Sequence, residues 1–276
     1  MKKLDTKSRA QILGMMVEGN SIRAISRMTG ASKNTIVKLL ADAGDAFAAY
    51  QDKALRNLTC KRIQCDEIWA FVYAKAKNAS QEMKAAGVAG DIWTWTAIDA
   101  DTKLMVSWMV GHRTLAAARV FTADLAGRLA NRVQLTTDGH RVYIQVVEDN
   151  FGGEVDYAML VKQYGDAGGT GPERRYSSGD CCGTIKGTVS GCPDESHIST
   201  SYVERANLTM RMGMRRMTRL TNAFSKKVEN LEHAVALHFM NYNLCRIHGS
   251  LRVTPAMEAG AADHGWSLEE VIALLS

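Results

Sequence analysis

The chain has 276 residues, a length that predicts one large domain or two unequal ones. Apolar residues make up 46% of the chain, enough for a sizeable core, and the net charge of +5 fits a nucleic-acid partner without requiring one. The six cysteines form no repeated Cys-x-x-Cys pair, so a small disulfide scaffold is excluded. We expect no signal peptide and no membrane span, and therefore a cytoplasmic, nucleoid-associated protein, because the first residues are polar and no apolar run reaches roughly 18 residues.

Residues 1–44 are predicted to form a helix-turn-helix domain of three short helices. Ser21 and Ser32 have the character of N-caps, and Gly19, Gly30 and Gly44 are expected to end the three helices. The tight turn before Ser32 joins the second helix to the third, as in a helix-turn-helix. A recognition helix reads base edges of double-stranded DNA with its N-terminal residues, which here are Ser32, Lys33, Asn34, Thr35 and Lys38. The alternative is a small helical dimerisation domain.

Beyond a predicted helical linker over residues 45–60, the apolar residues change to the period of a β-strand. The order that follows is three antiparallel strands, a helix, a fourth strand, a helix, a fifth strand and two long helices. The predicted strands cover residues 61–73, 91–99, 103–111, 133–138 and 155–163, and the predicted helices cover 114–129, 142–150, 199–222 and 225–247. A helical tail over residues 257–276 completes the chain.

The stretch from Gly165 to His197 is rich in Gly, Ser, Thr, Asp and Cys, a composition that predicts a loop. A loop of this length inside a compact domain is unusual and often functional, so we expect a partly structured insertion. Cys181, Cys182, Cys192 and His197 could in principle hold zinc, although their spacing matches no common structural zinc pattern.

Three acidic residues stand out along this series of elements. Asp66 lies within the first strand, Asp138 ends the fourth strand, and Glu204 lies in the first of the two long helices. A carboxylate near a buried strand is costly unless something neutralises its charge. Divalent metal ions held between shared carboxylates would do so, and they are a standard device of phosphodiester chemistry.

Four blocks of sequence surround these acids and follow in order. They are Cys65-Asp66-Glu67-Ile68-Trp69, Thr136-Thr137-Asp138-Gly139-His140, Tyr202-Val203-Glu204-Arg205-Ala206-Asn207, and Tyr242-Asn243-Leu244-Cys245-Arg246-Ile247-His248 followed by Thr254-Pro255. The ordered set resembles the bacterial insertion-sequence DDE transposases of the retroviral-integrase superfamily, and within them the insertion-sequence-one-like group. The resemblance covers most of residues 61–256.

The resemblance implies an α/β, ribonuclease-H-like catalytic domain over residues 61–256, with a mixed five-stranded sheet flanked by helices. The interval from Asp138 to Glu204 is long for this family, which implies an insertion at about residues 165–198. In such a fold the first and fourth strands are neighbours, so Asp66 would meet Asp138, and a C-terminal helix would bring Glu204 to them. Two Mg²⁺ or Mn²⁺ ions would bind there, with Asp66 bridging the pair.

Residues that follow Glu204 are implied to contact DNA. Asn207 and Arg211 share its helical face and resemble the family's pattern, and basic residues crowd the stretch beyond them. A solvated helix face is the alternative for such a run of charge. The predicted contacts are Asn207, Arg211, Arg215, Arg219, Lys226 and Lys227. Because Arg211, Arg215 and Arg219 recur at four-residue spacing, we expect them to form one stripe along the helix that starts near Glu204.

Other side chains near the acids have weaker claims. Glu67 is expected to point to the opposite face of its strand from Asp66, outside the site. His140 could touch a phosphate or cap a turn, and Arg246 and His248 could support the active site or lock the last core helix. The tryptophans on predicted strands are expected in the core; these are Trp69, Trp93, Trp95 and Trp108.

The sequence therefore predicts a DNA transposase that binds the ends of its insertion sequence and catalyses metal-dependent cleavage and strand transfer. We expect it to act as a homo-oligomer on double-stranded DNA. Two alternatives remain. One is a DNA-binding regulator whose catalytic site has decayed, and the other is a metal-dependent nuclease on the same fold that does not join strands.

Overall fold

The structure is a computed structural model that describes residues 4–165, 181–218 and 221–275. Within these ranges the helices α1 to α10 are Thr6–Val17, Ile22–Thr29, Lys33–Ala54, Gln81–Ala85, Leu115–Ala126, Val142–Phe151, Ser201–Gly213, Val228–Met240, Pro255–Glu258 and Leu268–Ala273. The strands β1 to β6 are Arg62–Val72, Gly90–Asp99, Met105–Gly111, Val133–Asp138, Val155–Tyr164 and Cys181–Ser190. No helix in the described ranges combines the length and the apolar character that crossing a bilayer demands.

Side-chain caps set the starts of the first three helices. Asp5, Ser21 and Ser32 each accept a hydrogen bond from the backbone N–H three residues further on, at 2.7, 3.1 and 3.1 Å. Each bond satisfies a donor that the helix itself leaves unpaired. α2 ends at Gly30, whose φ of 71° is a left-handed conformation that glycine adopts without strain.

The third helix is longer than the sequence indicated. α3 runs without a break from Lys33 through Gly44 to Ala54, so the predicted third helix and most of the predicted linker are a single helix. Gly44 faces α8, and a Cβ added to it would lie 2.4 Å from the Cβ of His233. The glycine therefore permits a close approach of two helices and does not end the helix.

Six strands form one mixed sheet in the order β3-β2-β1-β4-β5-β6. β1 pairs antiparallel with β2 and parallel with β4, and β4 pairs parallel with β5. The prediction that the first and fourth strands are neighbours is confirmed. Their register sets Cys65 beside Thr137, so Asp66 and Asp138, one residue further on, lie next to each other.

The sixth strand corrects the prediction of a five-stranded sheet. β6 lies inside the predicted insertion and pairs antiparallel with β5 at the edge of the sheet. Most of its residues are exposed, so its sequence lacks the alternation of apolar and polar residues that marks a half-buried strand. Residues 166–180 of the insertion lie outside the described residues.

Helices cover the faces of the sheet and bury its core. The ring of Trp95 on β2 lies 5.8 Å from both Phe121 of α5 and Tyr143 of α6, and all three side chains are fully buried. The expectation that Trp95 is a core residue is confirmed, whereas Trp69, Trp93 and Trp108 are only half-buried.

The C-terminal helices differ from their predicted extents. α7 ends at Gly213, well before residue 222, and Arg215–Met217 form a single turn of 3-10 helix. α8 is extended by a π-helical turn over Asn241–Cys245. The buried amide of Asn243 accepts from the N–H of Met105 at 2.9 Å and donates to its C=O at 3.0 Å, which ties this turn to β3.

Candidate active site

A cavity of about 510 Å³ is lined by all three of the predicted acids. Asp66 and Asp138 come from the neighbouring strands β1 and β4, and Glu204 comes from the first turn of α7. The predicted triad is thus brought to one cavity. Three nitrogen-bearing side chains also line it: Arg113, His140 and Lys162.

Both carboxylate oxygens of Asp66 accept a hydrogen bond. The backbone N–H of Glu67 donates to Oδ1 at 2.8 Å, and Nδ2 of Asn207 on α7 donates to Oδ2 at 2.8 Å. Asn207 is itself oriented by Thr96, whose hydroxyl donates to its Oδ1 at 3.2 Å. Burial, and then the charge of Asp138, raises the pKa of Asp66 to about 6. A bound cation would relieve both effects.

Glu67 belongs to the acidic group, so the expectation that it lies outside the site is wrong. The expected opposite face is observed, because Glu67 contacts Tyr143 of α6 whereas Asp66 contacts Asn207 of α7. The side chain of Glu67 is only 1% exposed, and its two oxygens accept from the hydroxyl of Tyr143 at 2.5 Å and from Nε of Arg113 at 3.0 Å. Alternation along a strand fixes the direction of Cβ, but the carboxylate lies two bonds further out and follows these two donors. Burial, followed by the charge of Asp138, raises the pKa of Glu67 to about 7.

Arg113 joins two of the acids from the chain segment that follows β3. Its Nε contacts Glu67, and its Nη2 lies 3.4 Å from Oδ2 of Asp138. Its positive charge compensates part of the repulsion among the carboxylates. Neither Arg113 nor Tyr143 belongs to the sequence blocks that mark the site.

His140 contributes its backbone to the site. Its N–H donates to Oδ1 of Asp138 at 3.0 Å, which matches the turn-capping alternative. Its ring packs against Trp95 and Tyr143, and its buried Nε2 has no hydrogen-bond partner among the described residues. Burial, and then the charge of Arg113, lowers the pKa of His140, so the neutral ring is favoured.

Glu204 lies on the wall of the cavity and already has two partners. The hydroxyl of Thr200 donates to its Oε1 at 2.5 Å, and the ammonium of Lys162 on β5 forms an ion pair with its Oε2. Lys162 thus places a positive charge inside the acidic cavity. The sequence blocks do not include it.

The carboxylates of Asp66, Glu67 and Asp138 form the tightest part of the site. They offer one oxygen each, and these oxygens all lie within 4.8 Å of one another. Hard oxygen donors suit Mg²⁺ or Mn²⁺. The raised pKa of Asp66 and of Glu67 reflects the cost of ionising carboxyl groups that are buried beside another carboxylate. The donor set therefore fits a divalent metal ion. Within the described residues, Cys181, Cys182, Cys192 and His197 form no such group.

The predicted DNA-reading residues lie at the start of α3. Lys33 and Asn34 are exposed, and Thr35 is half-buried. The hydroxyl of Ser32 caps the helix, and the ammonium of Lys38 lies 2.8 Å from Asp42. This end of α3 therefore presents an exposed polar surface.

The predicted stripe of arginines does not follow one helix. Arg211 is on α7, but Arg215 lies beyond the end of that helix, and Arg219 lies outside the described residues. The guanidinium of Arg211 donates to two backbone carbonyls, at 3.1 and 3.3 Å, so it ties α7 to its surroundings. Arg215, Lys226 and Lys227 are exposed.

Arg246 and His248 occupy the turn that follows the π-helical segment. Neither is among the side chains that line the acidic cavity. Arg246 is exposed, and the ring of His248 lies 3.1 Å from the hydroxyl of Ser250. The backbone N–H of His248 donates to the C=O of Val253 at 2.9 Å, a bond that closes the turn.

The sequence matches no protein-family model and no curated protein. Two similar solved structures are a cryo-EM structure of the piggyBac transposase synaptic complex with hairpin DNA and the Mos1 transposase paired-end complex with the left transposon end. The first is 11% identical, with 98% of this chain and 69% of that chain covered and a TM-score of 0.39. The second is 10% identical, with 55% and 56% covered and a TM-score of 0.22. Similarity this low carries no argument about function.

Proposed function

We propose that this chain is a DDE transposase with a ribonuclease-H-like catalytic domain, which cuts DNA at the ends of its element and joins the freed 3′ ends to target DNA. The observation that carries the proposal is the convergence of Asp66, Glu67 and Asp138, with carboxylate oxygens within 4.8 Å. Glu204 lines the same cavity from α7. Carboxylates this close repel one another unless a cation binds between them, and cleavage of phosphodiesters uses such cations.

Asp66, Glu67 and Asp138 would hold a divalent metal ion such as Mg²⁺ or Mn²⁺, with Glu204 as a further ligand. When bound, the metal would activate the attacking oxygen and stabilise the leaving oxygen. The protein's own residues prepare this site. Asn207 orients Asp66 through a bond of 2.8 Å, and Arg113 orients Glu67 through a bond of 3.0 Å.

The surfaces around the site support a DNA substrate. Between Glu204 and Glu229 the chain carries seven Arg and Lys residues and no Asp or Glu. Of these, Arg205, Arg215, Lys226 and Lys227 are exposed. Non-specific affinity for DNA comes mainly from contacts between exposed basic side chains of this kind and the phosphates. We assign end recognition to a helix-turn-helix formed by α1 to α3, because the start of α3 is exposed and polar.

The catalytic part of the proposal is tested with Asp66→Asn, Asp138→Asn and Glu204→Gln. Each removes a charged ligand and keeps the size of the side chain, so each should abolish nicking and strand transfer and leave DNA binding intact. Glu229→Gln, at an exposed position on α8, is the matched control and should behave as the wild type. Normal cleavage by the Glu204 variant would remove Glu204 from the metal site.

The same assays separate the two rival functions. Strand transfer is measured with a precut element end in the presence of Mg²⁺ or Mn²⁺. Nicking without strand transfer would identify a metal-dependent nuclease. End-specific binding without nicking under any of these conditions would identify a regulator.

End recognition is tested with point variants, because deletion of residues 1–44 would cut through α3. Lys33→Gln together with Asn34→Ala should reduce the preference for the element's ends over random duplex. Lys53→Gln changes an exposed lysine at the opposite end of the same helix and should leave that preference unchanged. An unchanged preference in the double variant would exclude α3 as the reading helix.

A further inference from the structure

Aromatic side chains gather where β1 ends and the chain passes the segment before α8. The ring of Phe71 lies 5.9 Å from that of Trp69 and 4.8 Å from that of Phe224. Tyr73, next along the strand, is 49% exposed. Two lysines lie over these rings. We call the set the aromatic–lysine surface; it consists of Trp69, Phe71, Tyr73, Phe224, Lys75 and Lys226.

The two lysines hold their charge beside the rings. Nζ of Lys75 lies 5.7 Å from the ring centre of Phe71, and Nζ of Lys226 lies 4.5 Å from that of Phe224 and 5.5 Å from that of Tyr73. In the described part of the chain neither lysine forms an ion pair with a carboxylate. Within the described residues, no carboxylate therefore competes with a ligand for either ammonium group.

The aromatic–lysine surface continues into a second cavity through Phe224 and Lys226. This cavity, of about 740 Å³, lies between the N-terminal helices and the segment that follows α7, and Phe224 and Lys226 line it. Its apolar walls include Met16, Val37 and Met214. No Asp or Glu is among the described residues that line it, whereas four further basic residues do, namely Arg23, Lys33, Arg215 and Arg216.

We infer that the aromatic–lysine surface and this cavity bind a segment of unpaired DNA. Rings beside ammonium groups are what a single strand requires, because its bases stack on aromatic faces and its phosphates lie near cations. In a duplex the faces of the bases are covered by their neighbours, so the rings would find only sugars and base edges. A cavity of 740 Å³ is of the size that takes a small ligand.

The position of the surface fits a strand that leaves the acidic cavity. Trp69 follows Glu67 of the acidic group by two residues on β1, so both side chains leave the same face of the strand, roughly 7 Å apart along it. The inference rests on the proposed function for the source of the unpaired segment, which would be the DNA opened at the cleaved end. Binding itself requires neither metal nor cleavage.

The test measures binding in EDTA with the full chain carrying Asp66→Asn. Fluorescence anisotropy compares a short labelled oligothymidylate with an abasic oligonucleotide of equal length and charge. Because stacking strengthens binding by roughly tenfold or more per base, oligothymidylate should bind at least about tenfold more tightly. Equal affinity for the two oligonucleotides would overturn the inference.

Variants of the surface separate stacking from charge. Tyr73→Leu and Phe224→Leu should each weaken oligothymidylate binding by about tenfold and leave abasic binding unchanged. Lys226→Gln should weaken both, and Lys84→Gln, at an exposed position on α4, should change neither. Phe224→Tyr keeps a ring and should restore binding. Equal losses for both oligonucleotides in the leucine variants would overturn the inference.

A second measurement guards against loss of folding in Phe224→Leu. Oligothymidylate should quench tryptophan fluorescence in the otherwise unaltered protein, and Trp69→Phe should remove most of that quenching. Quenching that survives in Trp69→Phe would place the strand elsewhere.

Displacement of oligothymidylate by polyglutamate at equal charge would overturn the inference in favour of an acidic protein partner. A protein that cleaves DNA but shows no preference for oligothymidylate would overturn this inference alone, and the reverse result would overturn only the proposed function.

Discussion

Glu67→Gln tests the acidic cavity through the stability of the protein. In the folded chain, burial and then the charge of Asp138 raise the pKa of Glu67 to about 7. A raised pKa means that the folded protein keeps this proton to a higher pH than the unfolded chain does. The resulting stability is fully present below the ordinary pKa of a glutamate and is lost as the pH rises through about 7.

The size of the change in the free energy of unfolding follows from the increase in the pKa of Glu67. Each pKa unit corresponds to ~1.36 kcal/mol, so ionised Glu67 costs about 3 kcal/mol in folded protein without metal. Glutamine has nearly the same shape, and its amide can accept from Arg113 while its N–H donates to the hydroxyl oxygen of Tyr143. The variant should therefore gain stability over the wild type by about 2 kcal/mol between about pH 5 and about pH 8.

The measurement is the denaturant midpoint of both proteins in EDTA across this pH range. Asp66, whose pKa is raised to about 6, gives a further loss of stability with rising pH that is present in both proteins. Added Mg²⁺ should stabilise the wild type at about pH 8 more than the variant, because the variant lacks one ligand. If the two pH curves run parallel in EDTA, the ionised carboxylate of Glu67 is not buried and the reasoning is refuted.

Two further predictions concern packing and charge. Gly44→Ala should lower the free energy of unfolding by about 1–3 kcal/mol in denaturant titrations, because the new Cβ would lie 2.4 Å from the Cβ of His233. The control is Gly127→Ala, whose new Cβ meets no atom closer than 3.5 Å, so this variant should be as stable as the wild type. Arg211→Gln should cost about 2 kcal/mol of stability, because it loses charge-assisted bonds to two backbone carbonyls. Arg215→Gln should leave stability unchanged and reduce the salt dependence of DNA binding by about one counterion. Equal stability of the two arginine variants would contradict this assignment.

Local signals explain which elements the sequence predicts well. Ser21 and Ser32 cap their helices through bonds that span three residues, so the starts of α2 and α3 can be read directly. Glycines mislead because their role depends on distant partners. Gly44 was expected to end a helix, but it lies within α3 and allows α8 to approach closely. Conversely, α7 ends at Gly213, within a stretch that was predicted as continuous helix. β6 escaped prediction because an exposed edge strand has no buried face to give it a period.

The acidic cavity shows the same division between local and distant causes. Asp66 and Asp138 could be paired in advance because the resemblance implies a fold in which the first and fourth strands are neighbours, and the observed register agrees. The position of Glu67 could not be inferred, because it depends on donors 46 and 76 residues away along the chain. One feature of the sequence could have indicated Lys162, because it is a charged residue directly after the apolar run of β5.

The continuity of α3 fixes a distance in the molecule. The helix has 22 residues, so it is a rod roughly 33 Å long at ~1.5 Å per residue. Its second half is clamped against α8, and its exposed tip cannot turn without carrying α8 and the sheet beside it. A ligand bound at the start of α3 is therefore held at a fixed distance from the acidic residues. One residue inserted between the start of α3 and Gly44 would move the start of the helix by ~1.5 Å and rotate it by about 100°. Its exposed side chains would then face a different part of a bound ligand.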